Sequence, residues 1–73
     1  MIKNTLKQIR MKEYLMNKKQ FANFVGIAEI PYGRYENEKI IPSLETALLM
    51  SEKLNQTVNQ IFYIFNDENE GIK

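Results

Sequence analysis

The stretch "GIAEIPYGRYENEKIIP", residues 26–42, combines residues that favour a helix with residues that oppose one. A glycine opens it, a proline closes it, and Pro31 and Gly33 lie between them. Tyr32 and Tyr35 are nevertheless three residues apart, a spacing that places both side chains on one face of a helix. Proline is tolerated in the first turn of a helix, where its missing N–H is not needed. The stretch is therefore predicted to form a short helix.

The two faces of this helix differ in character. On a helical wheel the inner face carries the tyrosines, and the outer face is made of Glu29, Ile30, Gly33, Arg34 and Asn37. This mixture of charged, polar and small residues favours a docking surface. The helix should begin near Ile30 or Pro31, because proline disfavours helical geometry at the residue before it. Gly33 costs about 1 kcal/mol relative to alanine, but it lets the backbone approach a partner closely.

A second helix precedes this one and is joined to it by a short turn. Asn17 and Gln20 form a capping-box pattern at its start, and Gly26 suits the left-handed residue at its end. Two helices joined by a short turn that contains glycine form a helix-turn-helix. Here the turn is residues 26–28, and the helix before it covers about residues 18–25.

Three further helices complete an all-α prediction with five helices. They are expected over about residues 4–16, 44–54 and 58–62, with Ser43 and Thr57 as N-caps of the last two. The buried face of the fourth helix should be Leu44, Ala47, Leu48, Ser51 and Leu54. The segment "IFYIF" (61–65) is rich in strand formers and compatible with an extended chain after Phe62. Residues 1–66 are expected to form the domain, and 67–73 a polar, flexible tail.

Length and composition describe one small domain without the chemistry of an active site. The chain has 73 residues, with no cysteine and no histidine. It lacks a phosphate-binding glycine loop and paired carboxylates on one helix face, so we expect no enzyme, cofactor, metal or small-molecule ligand. The N-terminus does not resemble a signal peptide, and no apolar run approaches the ~20 residues that cross a bilayer. We therefore expect a cytoplasmic protein without a membrane segment.

Positive charge is concentrated in the first part of the chain. The net charge is only +1, but residues 1–41 carry eight Lys or Arg against four Glu. An anionic partner would therefore bind this part of the molecule. A merely solvated surface is the alternative explanation, and the charge alone does not exclude it.

The segments "FANFVG" (21–26), "GRYENEKIIPSLETAL" (33–48) and "LNQTVNQIF" (54–62) follow one another in a recognisable order and spacing. In them the chain resembles the XRE, or lambda-repressor and Cro-like, helix-turn-helix family. The resemblance implies a five-helix domain that binds operator DNA as a homodimer and regulates transcription, here as a repressor. It also implies that the third helix reads the major groove and that the second lies across the DNA backbone.

The resemblance further implies which residues bind DNA. The first outward side chains of the third helix would read bases, and Arg34 would read a base or a phosphate. The residues expected to contact DNA are Lys18, Glu29, Ile30, Gly33, Arg34, Asn37 and Lys39. An ion pair between Arg10 and Glu36 is expected to bridge the first and third helices.

Five positions leave the mode of DNA recognition open. Glu29 either accepts a hydrogen bond from a cytosine amino group or complements the helix dipole. Ile30 either contacts a thymine methyl or covers the core between two helices. The chain also departs from the family pattern, because Ala28 replaces a Ser or Thr cap, Pro31 lies in the helix and Glu38 replaces a loop glycine. Glu38 is expected to bring negative charge near a phosphate-facing loop.

The C-terminal apolar segment suggests self-association. Five consecutive apolar residues exceed what one face of a short helix buries, so we expect a dimer contact. It would be formed by Ile61, Phe62, Ile64 and Phe65. The alternative function is a protein-interaction module, such as an antitoxin-like or regulatory subunit, for which the aromatic C-terminus is suited. Steep salt dependence of DNA binding would favour the regulator, and absence of binding at low salt would favour the module.

Overall fold

The structure, a computed structural model, describes residues 1–66, which form five helices and two short strands. In chain order they are β1 (Ile2–Asn4), α1 (Leu6–Gln8, continued by a π-helical segment over Ile9–Tyr14), α2 (Lys18–Val25), α3 (Glu29–Glu36), α4 (Leu44–Leu54), α5 (Val58–Ile61) and β2 (Phe62–Ile64). The fold is the predicted all-α arrangement, with an antiparallel pair of strands added. The tail predicted over 67–73 lies outside the described residues.

The core lies where the helices meet. Its buried side chains are Leu6, Ile9, Phe21, Ala22, Val25, Tyr32, Met50, Leu54 and Ile61. The Phe21 and Tyr32 rings meet edge-on, 5.5 Å apart between centroids, and join α2 to α3. Such a pair contributes about 1 kcal/mol beyond its burial. Rotation of α3 about its axis would expose the Tyr32 ring, so this contact decides which face of α3 points outward.

Local signals set the end of α2 and the turn that follows. The predicted capping box is present, with Asn17 and Gln20 each accepting the amide of the other. Gly26 ends α2 in left-handed geometry, with φ of 81°. The Ile27 amide donates to the Ala22 carbonyl at 2.9 Å, and the Ile27 side chain packs against the core. The predicted helix-turn-helix is thereby confirmed.

The first helix is shorter than the sequence predicts. Residues 4–16 were expected to be helical, but α1 begins at Leu6 and its π-helical continuation ends at Tyr14. Asn4 lies instead in β1, where its side chain accepts the Leu6 amide at 3.0 Å. The strand forms because β2 supplies a partner from the far end of the domain. A pairing over that distance leaves no local pattern in the sequence.

Helix α3 begins at Glu29, earlier than the predicted start at Ile30 or Pro31. Pro31 is the third helical residue, so its missing N–H still falls within the first turn. The Tyr32 amide donates to the Ala28 carbonyl at 3.0 Å and closes that turn. Burial of Tyr32 thus outweighs the preference of the residue before proline for extended geometry.

The buried face of α4 differs from the predicted one. The core takes Ala47, Met50 and Leu54, whereas Leu44 and Leu48 are 72% and 53% exposed. Met50 is fully buried, and its flexible thioether fills the space between helices that a leucine was expected to fill. The exposed leucines therefore form an apolar surface on α4.

The chain becomes extended at Phe62, as the strand-forming residues suggested. Ile61, which was expected at a dimer contact, is fully buried in the core. That expectation is corrected, because the last turn of α5 points this side chain inward. Phe62 packs partly against the core, and Ile64 is 77% exposed.

Candidate nucleic-acid interface

The seven residues expected to contact DNA lie together around one open concavity. Its lining is Lys18 from α2, Glu29, Ile30, Gly33 and Arg34 from α3, and Asn37 and Lys39 from the loop after α3. Three of these residues are cations and one is an anion, so the surface is net positive. The concavity is therefore suited to a polyanion.

Helix α3 presents an N-terminus without a side-chain cap. Its N-cap residue is Ala28, which has extended geometry and no side-chain acceptor for the amides of the first turn. A Ser, Thr, Asp or Asn usually satisfies one of these amides. Uncapped amides and the positive end of the helix dipole attract phosphate groups. The departure from the family pattern at this position thus leaves donors open to a ligand.

Packing inside the domain does not require glycine at position 33. Among residues 1–66, a Cβ built on Gly33 meets no atom within 4 Å. The residue is also helical, unlike Gly26 with its positive φ. A side chain at this position would therefore project outward into the concavity. Its absence lets another molecule approach the α3 backbone.

A buried carboxylate beneath the concavity joins three helices. Glu36 accepts from Arg10 Nε at 2.8 Å and from Arg10 Nη2 at 3.4 Å, so the structure contains the expected pair. The Tyr32 hydroxyl donates to the same carboxylate at 3.2 Å, and Lys18 Nζ lies 3.8 Å from it. Arg10 Nη1 donates to the Met16 carbonyl at 3.0 Å. Within residues 1–66, every buried side-chain nitrogen and oxygen has a partner.

The network sets the charge of its members. The hydrogen bond from Arg10 to Glu36 raises the pKa of the Arg10 guanidinium, despite the opposing effect of burial. Burial, followed by the charge of Glu36, raises the pKa of the Tyr32 hydroxyl, which stays neutral and donates. The Lys18 side chain is about half exposed, and Glu36 attracts its ammonium from the buried side. Glu36 thereby helps to orient a cation at the rim of the concavity.

Glu38 does not bring an unpaired negative charge to the loop. It follows α3 in left-handed geometry, with φ of 63°, and its amide donates to the Tyr35 carbonyl at 3.0 Å. One carboxylate oxygen lies 3.4 Å from Lys3 Nζ, and the other accepts the Asn4 amide at 3.2 Å. The carboxylate therefore faces β1, where it is partly neutralised. This finding corrects the expected effect of Glu38 on the phosphate-facing loop.

Sequence reasoning missed Lys3 and Asn4 as supports of this loop. Asn4 Nδ2 donates to the Tyr35 carbonyl at 2.8 Å, across a separation of 31 residues. No periodicity links residues so far apart. One signal was available in the sequence, because Glu38 replaces a loop glycine of the family. A residue other than glycine costs about 1–2 kcal/mol in left-handed geometry and therefore needs compensating contacts.

The described residues show no sign of a metal centre or a membrane segment. No group of His, Cys, Asp and Glu within residues 1–66 is arranged to hold a metal ion. No helix in that part of the chain is long and apolar enough to cross a membrane.

Comparison with known proteins identifies the family. No curated protein matches the chain in sequence. The helix-turn-helix family of XRE type matches residues 6–62, which include all five helices described above. The match covers well over half of the chain and confirms the resemblance seen in the sequence. The family is one of DNA-binding domains. The chain belongs to the XRE-type helix-turn-helix family of DNA-binding transcription regulators.

Proposed function

We propose that the protein is a transcriptional repressor that recognises its operator by placing α3 in the major groove. The observation that carries the proposal is the grouping of seven outward residues around one net-positive concavity. An α-helix fits the major groove, where the edges of the base pairs are distinguishable. Repression needs only that the bound protein occupies DNA required by the transcription machinery.

The residues of the concavity divide into two roles. Arg34 and Ile30 are exposed on the outer face of α3, where guanidinium suits guanine and an aliphatic side chain suits a thymine methyl. Glu29 lies in the first turn and accepts from a cytosine amino group in this arrangement. Lys18 and Lys39 contact phosphates and position the helix. Asn37, at the end of α3, adds a contact to the DNA backbone.

Two copies are expected to bind one operator. The exposed part of the C-terminal segment supports self-association, since Ile64 is 77% exposed and Phe65 is half-buried. Phe62 contributes only its exposed part, because the ring also packs on the core. A two-fold dimer would present two α3 helices to successive turns of the same DNA face.

A protein-interaction module is the second candidate function. The observation that favours it is the exposed apolar surface of α4, where Leu44, Leu48 and Leu49 are each at least 50% exposed. Such surfaces mark contacts with other proteins. Absence of DNA binding even at low salt would favour this function. A steep loss of DNA binding with added salt would favour the repressor.

The test compares Arg34→Ala with Lys39→Ala, two cations of the same concavity. Each variant is titrated against a selected site and a scrambled site at two salt concentrations. Arg34→Ala should cost about 1–3 kcal/mol on the selected site and relax preference at one base pair. Lys39→Ala should weaken both sites alike and reduce the salt slope by about one.

Lys18 is less suited as the control, because its ammonium also contacts Glu36. Equal weakening of both sites by Arg34→Ala would assign Arg34 to a phosphate instead of a base. Unchanged DNA binding in both variants would show that this face of α3 does not meet DNA.

A further inference from the structure

The loop after α3 has a backbone geometry that glutamate does not favour. Glu38 has a φ of 63°, in the left-handed region, where most side chains are strained. Its amide donates to the Tyr35 carbonyl at 3.0 Å, and the Lys39 amide donates to the Arg34 carbonyl at 2.8 Å. In this geometry Lys39 borders the concavity. The placement of Lys39 therefore depends on a strained residue beside it.

Two residues of β1, Lys3 and Asn4, contact this loop. Asn4 Nδ2 donates to the Tyr35 carbonyl at 2.8 Å, and the Asn4 amide donates to Glu38 Oε2 at 3.2 Å. Lys3 Nζ lies 3.4 Å from Glu38 Oε1 and 5.4 Å from the centroid of the Phe65 ring. The Lys3 ammonium therefore interacts with both the loop and the residue after β2. Together these contacts offset the strain at Glu38.

We propose that Asn4 is a positioning residue for DNA binding, which holds the loop after α3 in the geometry that presents Lys39 to a DNA phosphate. The side-chain amide of Asn4 carries a donor and an acceptor, and the two serve different elements. Oδ1 accepts the Leu6 amide at 3.0 Å at the start of α1, and Nδ2 donates to the loop. Asn4 does not line the concavity, so it acts on DNA through the loop. The inference rests on the proposed contact of Lys39 with DNA.

Asn4→Ser separates the two functions of this side chain. The serine hydroxyl can still accept the Leu6 amide, but it is one bond shorter and withdraws from the Tyr35 carbonyl. The substitution changes no charge, so a change in salt dependence comes from the loop. Binding should weaken about fivefold on the selected and scrambled sites alike, as expected for one lost hydrogen bond. The salt slope should fall by about one, as in Lys39→Ala, because a phosphate contact is lost.

Thr5→Val is the matched control, because Thr5 is the neighbouring residue and its side chain also bonds a distant carbonyl. Thr5 Oγ1 donates to the Gln60 carbonyl at 3.0 Å, at α5 and away from the loop. Valine has a similar shape without the hydroxyl, so the substitution removes this bond and leaves the loop contacts in place. The salt slope of DNA binding should be unchanged in this variant.

Glu38→Gly removes the strain that Asn4 is proposed to offset, because glycine adopts left-handed geometry without support. In the Glu38→Gly protein, Asn4→Ser should therefore leave the salt slope unchanged. Each comparison is made within one background, so the loss of the Glu38 charge cancels. A residue that only stabilised the fold would act equally in both backgrounds.

Amide hydrogen exchange tests the loop in the absence of DNA. The Lys39 amide should exchange about fivefold faster in Asn4→Ser than in the parent protein, because loss of one hydrogen bond makes local opening easier. Addition of Glu38→Gly should return the exchange rate of this amide toward that of the parent. Circular dichroism checks that each variant is folded.

Three results would overturn the inference: an unchanged salt slope in Asn4→Ser, an equal fall with and without Glu38→Gly, or an equal fall in Thr5→Val. An unchanged salt slope in Lys39→Ala would contradict the proposed phosphate contact, and the inference would fail with it. The exchange rates distinguish the two failures. Faster exchange in Asn4→Ser, with no effect of Lys39→Ala, would show that Asn4 supports the loop without a consequence for DNA binding.

Discussion

Gly33 and Glu36 lie three residues apart on α3 and have different surroundings. Gly33 borders the open concavity, and a Cβ there would touch nothing among the described residues. Glu36 is buried and joins Arg10, Tyr32 and Lys18 beneath the same surface. Gly33 is therefore expected to affect the binding of another molecule, whereas Glu36 is expected to affect the stability of the domain.

Gly33→Ala should separate stability from binding. Alanine favours a helix interior over glycine by about 1 kcal/mol, so the midpoint of thermal unfolding should rise. The added methyl group projects toward DNA, so affinity for the operator should fall. Gly26→Ala is the matched control: its φ of 81° strains alanine, and it should lower stability without changing base preference. An unchanged affinity of Gly33→Ala would mean that DNA does not approach the backbone there.

Glu36→Gln should destabilise the domain strongly. The substitution leaves the Arg10 guanidinium without its buried counter-charge, a loss of about 3 kcal/mol for a broken buried pair. Glu38→Gln makes the same chemical change two residues later at a partly exposed pair and should cost less than about 1 kcal/mol. Urea unfolding of both variants measures the difference. Equal midpoints for Glu36→Gln and Glu38→Gln would show that the buried pair adds nothing.

At the scale of elements, left-handed residues end the first, second and fourth helices and follow the third. These residues are Leu15, Gly26, Glu38 and Asn55. Glycine and asparagine tolerate this geometry, and Glu38 has compensating contacts with β1. Leu15 is 83% exposed, so packing offers its left-handed geometry little compensation. It is therefore the least favourable of the four helix ends.

Leu15→Gly should stabilise the domain by about 0.5–1 kcal/mol, the strain released at a left-handed position less the entropy that glycine loses on folding. Asn55→Leu is the reciprocal change and should destabilise by a similar amount, because it places a leucine where φ is 55°. Thermal unfolding of the two variants measures the sign of each change in stability. A lower melting temperature for Leu15→Gly would show that the Leu15 side chain makes a contact more valuable than the strain it causes.

At the scale of the whole molecule, the first and last strands close the domain. β1 pairs with β2 in register from Ile2 with Ile64 to Asn4 with Phe62. The sheet therefore joins the segment proposed for association to the loop that ends α3. A dimer built on it would hold both recognition helices in one rigid frame.

DNA selected by the protein from a random library should be an inverted repeat. Two α3 helices related by a two-fold axis bind half-sites whose centres are about one helical turn, roughly 10 base pairs, apart. Insertion of half a turn between the half-sites should abolish cooperative binding, and insertion of a full turn is the matched control. A selected site with one half only, bound by one copy at saturation, would contradict the dimeric arrangement.

The parts predicted best from the sequence are those with local causes. The capping box at Asn17 and Gln20 and the left-handed turn at Gly26 depend on neighbouring residues, and the structure has both. The outward face of α3 followed from helical spacing and from the family resemblance together. The face of α4 was predicted wrongly, because leucine and methionine are equally apolar and the choice of Met50 depends on the space between helices.

The five helices, the helix-turn-helix and the family could all be predicted from the sequence, because caps, turns and periodicity act over a few residues. The strand pairing, the burial of Met50 in place of Leu48 and the contacts of Glu38 with β1 became known only from the folded structure. Each of these joins residues more than thirty positions apart or depends on the shape of the assembled core. Their energies come from partners that the chain brings together only when it folds, so no local pattern records them.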